Sequence, residues 1–149
     1  MAISQTATTS FKVQLLQAVH NFGPTLPDTF KVALYTAYAN LGPTTTAYTV
    51  NNEVSGTGST AGGNTLTISV FPTSGTNSSN VPTAYISFGN SQWTNATFTC
   101  RGALIYNDSV VGKPSVAVLD FGADKTVSND VFNIIFPAPD ANSAIVRIS

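Results

Sequence analysis

The sequence predicts a mainly β protein: an antiparallel β-sandwich, jelly-roll or immunoglobulin-like, with one N-terminal helix. Three observations carry that expectation. Apolar residues alternate with period two in several short runs, Gly, Pro, Asn and Asp turn signals separate the runs, and no strand-helix-strand rhythm appears. Only one stretch has helical spacing. At 149 residues the chain fits one domain able to bury a core without metal or disulfide staples.

Residues 1–9 are polar, Thr-rich and unpatterned, so they are expected to be a flexible arm, with residues 10–149 forming the single sandwich domain. Ser10 reads as an N-cap. Phe11, Leu15, Val19 and Phe22, with Leu16 and Ala18, then form a helical stripe closed by Asn21 and Gly23-Pro24. Such a stripe packs on a sheet. His20 falls near the end of that helix, where the dipole favours a cation. Residues 30–38 alternate Phe30, Val32 and Leu34 with Lys31, Ala33 and Tyr35, an inner strand. Residues 40–63 are too rich in Gly, Thr and Asn for continuous strand and read as a long loop with an extended piece at 48–54. Loops of this length usually carry function or are disordered. Residues 64–70 alternate as a half-exposed strand that Phe71-Pro72 ends, followed by a low-complexity turn at 73–82 and a strand at 83–89.

The densest apolar stretch, residues 93–122, reads as a central β-hairpin. Strict alternation over 97–106 places Phe98, Cys100, Leu104 and Tyr106 on one face, with Gly102 between them. Residues 115–121 are apolar on both faces until Asp120, so that strand is covered on two sides. Residues 123–131 read as a charged turn, and 131–136 and 144–148 as the closing strands.

Charged residues make up 9% of the chain, against about 25% in ordinary globular proteins. Ser, Thr, Asn and Gly fill the polar positions, and neutral groups cost less to bury against a neighbour than ions do. The formal net charge of −1 gives no electrostatic case for nucleic acid or an anionic membrane. No apolar run approaches the ~20 residues of a membrane span, and the first residues lack a signal peptide's basic and apolar regions, so assembly in the cytoplasm is expected. Cys100, the one cysteine, reads as a small buried hydrophobe. Trp93 reads as a core anchor.

Three chemical readings fail on spacing. Glu53, the one glutamate, has no second acid near it in sequence for glycoside cleavage, and reads as a turn cap or a subunit contact. Asp120, Asp124 and Asp130 lack the loop pattern of a calcium site. One histidine without a Cys or His partner is no metal site. No catalytic, cofactor-binding or metal-ligating residue is therefore expected.

The segments SFKVQLL (10–16), FKVALYT (30–36), AYTVNNEVSGTG (47–58), AGGNTL (61–66), RGALIYN (101–107), VAVLDFG (116–122) and FNIIFPAP (132–139) together resemble a family of small virion structural proteins of tailed bacteriophages. The likeness covers nearly the whole chain and departs at Ser59, where an aromatic residue is expected after Gly-Thr-Gly. The resemblance implies a virion component. With the small neutral domain it leads to the expectation of a non-enzymatic capsid decoration or cement protein, a homotrimer on the outside of the major capsid protein lattice. A tail, collar, fibre or adaptor subunit is the alternative, and a glycan-binding module a more distant one. Intermolecular contacts are expected from Thr6, Thr8 and Thr9 of the arm, Tyr48, Glu53 and Thr57 of the long loop, and Asn77 and Asn80 of the low-complexity turn.

Overall fold

The computed structural model describes residues 2–149. Its elements are β1 (Thr6–Ala7), α1 (Thr9–Leu16), β2 (Phe30–Tyr35), β3 (Asn64–Leu66), β4 (Ile68–Thr76), β5 (Pro82–Phe88), β6 (Ser91–Asn107), β7 (Ser115–Ile134) and β8 (Val146–Ile148). A five-stranded sheet runs β1-β7-β6-β2-β3 and a three-stranded sheet β4-β5-β8, every strand pair antiparallel. The expected mainly β, sandwich-like architecture with a short N-terminal helix is present.

The run expected as one strand at 64–70 changes sheet in its middle. Thr67 alone separates β3 from β4, so the chain closes one side of the sandwich there. Phe71-Pro72 does not end β4. Pro72 lies on an edge strand beside a register shift between Val70 and Thr73, where a missing N–H costs no ladder bond. The turn shrinks to residues 77–81.

The central hairpin is longer than its apolar pattern. β6 starts at Ser91, and β7 runs through the stretch expected as a charged turn. That stretch pairs with β6 through Lys125 opposite Cys100 and Val127 opposite Phe98. Polar residues fill it because its outward face meets solvent. A register shift between Cys100 and Gly102 also defeats strict alternation. Phe98 and Cys100 share the inner core with Ala103 and Ile105, whereas Leu104 and Tyr106 face the other side. Gly102 suits the site, because a Cβ there would meet the Leu119 carbonyl oxygen at 2.5 Å.

The five-stranded sheet is covered on both faces where β6 and β7 are apolar. On the inner face Phe30, Val32, Ile105 and Leu119 meet Phe88, Trp93 and Phe136, and Phe22 stacks on Phe30 with centroids 4.4 Å apart. On the outer face Ala33, Tyr35, Leu104, Tyr106 and Val118 are covered by Ile3, Ala39 and Leu41, with Tyr48 packed against them. The N-terminal segment and the long loop thus act as a third layer.

That layer corrects the expectation of a flexible arm. Thr6 and Ala7 pair with Val118 and Ala117, and the Ser4 N–H donates to the Leu41 carbonyl at 2.9 Å. Backbone pairing holds the segment, and backbone pairing needs no side-chain period. Met1 lies outside the described residues. The helix is capped by Thr8 rather than Ser10 and stops at Leu16, with Ala18 in a left-handed conformation (φ 57°). Val19 and Phe22 therefore belong to a loop. Asn21 and Asp28 close that loop with two 2.8 Å bonds: Asn21 N–H to the Asp28 carboxylate and Asp28 N–H to the Asn21 carbonyl.

Candidate functional site

The eight expected contact residues fall into three places with different roles. Thr8 is wholly buried, which excludes it from any intermolecular contact in the folded chain. Its hydroxyl accepts from Phe11 N–H and lies 2.9 Å from the Ser115 hydroxyl, fixing the helix start to β7. A threonine that caps a helix at a strand end must be enclosed by both. Thr6 is half-buried in β1, and its hydroxyl donates to the Ala7 carbonyl. Thr9 is exposed, its N–H held by the Pro43 carbonyl at 2.9 Å.

Asn77 and Asn80 form a tight turn between β4 and β5. The Asn77 side-chain oxygen accepts from Ser79 and Val81 N–H groups at 2.9 and 3.0 Å, while exposed Asn80 takes φ 61°. Asn77 is thereby a turn former first.

Tyr48 and Glu53 meet in the long loop. The Tyr48 hydroxyl donates to Glu53 Oε2 at 2.6 Å, and Gly62 N–H donates to Glu53 Oε1 at 2.8 Å. Glu53 caps a turn, one of the two readings its sequence position allows. The Tyr48 ring stacks on Tyr106 at 4.7 Å, and Lys113 Nζ stands 5.5 Å from its centroid. Two further hydroxyls reach the same loop from the sheet: Tyr35 donates to the Thr49 carbonyl at 2.5 Å and Tyr106 to the Gly62 carbonyl at 2.6 Å. Burial, aided by the neighbouring Glu53 carboxylate, pushes the Tyr48 phenol up to about 12, and burial raises Tyr35 and Tyr106 as well. All three stay protonated donors at neutral pH. Thr57, on the exposed side of the loop, accepts from Thr97 N–H at 2.9 Å through its carbonyl.

Ser59 stands at the departure from the virion pattern and makes a local bond instead. Its hydroxyl donates to the Gly56 carbonyl at 2.7 Å and accepts from Gly56 N–H at 2.8 Å. The result is a loop locked onto the sheet whose outer side shows Tyr38 (73% exposed) and Val50 (66% exposed) among Thr, Ser and Asn. Sequence patterning had not singled out Tyr38 or Val50. Val50 and Val54 both stand between polar neighbours, yet Val54 is buried and Val50 exposed, so the sequence carries no signal that separates them.

The carboxylates do not converge. Asp120 meets Arg101 at 3.4 Å and accepts from Gly122 N–H, Asp130 accepts from Val131 N–H, and Asp108 holds Lys113 at 3.0 Å and Lys31 at 3.3 Å. The Lys113 and Lys31 ammonium groups hold the Asp108 carboxyl below its ordinary range. No group of three or more His, Cys, Asp or Glu that could hold a metal ion forms among the described residues. No helix among them is long and apolar enough to cross a membrane. His20 is buried rather than poised at a helix end, and Trp93 is a core residue in contact with Phe132 at 5.8 Å.

Comparison with protein-family models, with curated proteins and with solved structures finds no match.

Proposed function

We propose that this chain is a non-enzymatic structural subunit of a tailed-bacteriophage virion: a capsid decoration or cement protein that, as a homotrimer on the capsid exterior, bridges capsomers of the major capsid protein. It would be made and assembled in the host cytoplasm. The quoted motifs support the virion class. The observation that carries the mode of action is the long loop, pinned by the hydroxyls of Tyr35, Tyr48 and Tyr106. A loop fixed before binding loses little entropy on docking. Its outer side offers Tyr38 and Val50 as apolar points amid neutral hydroxyl and amide groups, which are cheaper to desolvate than ions.

A cement protein works by spreading burial over several neighbours, because that burial is lost when they separate. At about 25 cal/mol per Å² of apolar surface, a few hundred Å² per contact supplies several kcal/mol before binding entropy is subtracted. Repeated contacts then act together as avidity.

Cryo-electron microscopy of purified virions tests this reading. Copies in the hundreds on the icosahedral lattice are expected, with residues 36–63 against capsid subunits. A dozen or fewer copies at a vertex or on the tail would move the chain to a collar, fibre or adaptor role. Absence from the particle would overturn the virion reading.

A further inference from the structure

We propose that copies of this chain bind one another head to tail: the cleft between α1 and β8 of one copy takes the free outer edge of β7 from the next. The two surfaces share no residue and complement each other in hydrogen bonding, charge and apolar exposure.

The cleft, about 320 Å³, opens on the side of the sandwich opposite the Thr67 crossing. Ala7, Phe11, Lys12 and Leu15 form one wall and Val146 and Arg147 belong to the other. Among the described residues β5 is the sole strand neighbour of β8, and the other edge of β8 has no strand partner. Leu16 (92% exposed) and Ile148 (58% exposed) stand at the mouth. Lys12 and Arg147 make no ion pair among the described residues, and no carboxylate side chain lines the cleft. Arg147 Nη1 donates to the Asn142 carbonyl, which holds the guanidinium in place.

The matching surface is the far half of β7. Its pairing with β1 stops at Val118, so beyond Asp120 its outer edge has no strand partner among the described residues. That stretch exposes Asp124 and Asp130, neither in an ion pair among the described residues, with Lys125 between them. Val131 and Ile135 are exposed beside it, and Phe121 and Phe132 line a depression of about 310 Å³. Counting side chains, the cleft, whose lining also includes Ser149, therefore carries two cations and the ribbon one net negative charge. An uncovered edge flanked by apolar side chains invites pairing, and edge lysines that would discourage it are few here. Because the surfaces differ, the contact is heterologous and builds rings where its rotation closes.

This inference rests on the homo-oligomer in the proposed function and concerns the contact between copies, not the particle. The test is sedimentation of the full chain over a concentration series. The wild-type chain should self-associate, and K12E/R147E and D124K/D130K should each weaken association by about a hundredfold, since like charges then face each other. An equimolar mixture of the two variants should restore association, because each variant's altered surface then meets one of opposite sign. A wild-type chain that stays monomeric to about 1 mM, or variants that keep the wild-type mass, would overturn the contact. A chain found on virions yet monomeric in solution overturns the contact alone. One that associates through these residues yet is missing from virions overturns the particle role alone.

Discussion

One side-chain amide, that of Asn107, serves two partners: its Nδ2 lies 3.2 Å from His20 Nδ1 and 2.7 Å from the Asp28 carboxylate. The Asn107 oxygen accepts from Ser109 N–H at 2.9 Å, which fixes the amide's orientation. His20 Nδ1 must therefore accept, and Nε2–H donates to the Gln14 side-chain oxygen Oε1 at 2.9 Å. The imidazole is neutral, packed among the rings of Phe11, Phe22 and Phe30. Burial holds it below its ordinary 6.5 despite the opposing pull of Asp28. As pH falls below 6.5 the unfolded chain takes up the proton first. Stability is thus fully present above that value and is lost below it, the loss ending once pH passes the folded value. Melting temperature should drop between about pH 7.5 and pH 5.5, and His20→Gln should flatten that slope. An unchanged slope in the variant would remove His20 as the cause.

Asn107→Ala removes every bond of this amide at a site with no water access. The Asp28 carboxylate keeps only the Asn21 N–H, and His20 Nδ1 loses its donor. The expected cost is about 2–4 kcal/mol, the sum of one lost charged bond and the exposed needs of its partners. Urea unfolding measures it, with the slope of the transition unchanged.

Tyr35→Phe and Tyr106→Phe delete one hydroxyl each while keeping the rings packed. Each should cost about 1 kcal/mol globally. The local effect should be larger. Protease cleavage within residues 48–62 of the folded chain should speed up in either variant, and further in the double variant, while the rest of the chain stays protected. Cleavage rates in both single variants and the double variant equal to that of the wild-type chain would show that the hydroxyls do not pin the loop.

Much of this was legible in the residues and some was not, for identifiable reasons. Alternation gave β2, β5 and the paired core of β6 and β7, because a half-buried strand writes its two faces into the sequence. The bulge between Cys100 and Gly102 shifts that alternation by one residue and leaves no composition mark beyond the glycine. Thr67, where the chain changes sheet, lies inside an unbroken pattern. Residues 3–7 are held by backbone bonds and by the lone buried side chain of Ile3, and one apolar residue makes no period. At the helix, Leu15 and Leu16 cannot both face the core from neighbouring positions, and Leu16 is the one left outside. The loop contacts of Tyr48 and Glu53 join distant residues. Only the unusual presence of one glutamate in a neutral loop pointed there.

Cys100 is wholly buried, and burial raises its thiol to about 12. The thiolate is the reactive form. The folded protein should therefore ignore a disulfide reagent at about pH 8 and react fully once denaturant is added. Prompt reaction without denaturant would show that β6 opens readily at the bulge.

Gly63 and Gly112 both lie in the left-handed region, at φ 76° and 85°, yet their surroundings differ. A Cβ on Gly63 would overlap the Val32 carbonyl and the Ala33 backbone, because the end of the long loop crosses directly over β2. Among the described residues nothing beyond its own chain neighbours lies within 4 Å of the corresponding point at Gly112, in the turn between β6 and β7. Gly112→Ala then carries only the conformational penalty of about 1 kcal/mol. Gly63→Ala adds a collision with backbone that neither strand can relieve without breaking the β2–β3 pairing at Val32 and Asn64. Its cost should exceed about 3 kcal/mol and lower the soluble yield. Thermal melts of the two variants side by side check this, because conformational strain is common to both and only the contact with β2 separates them.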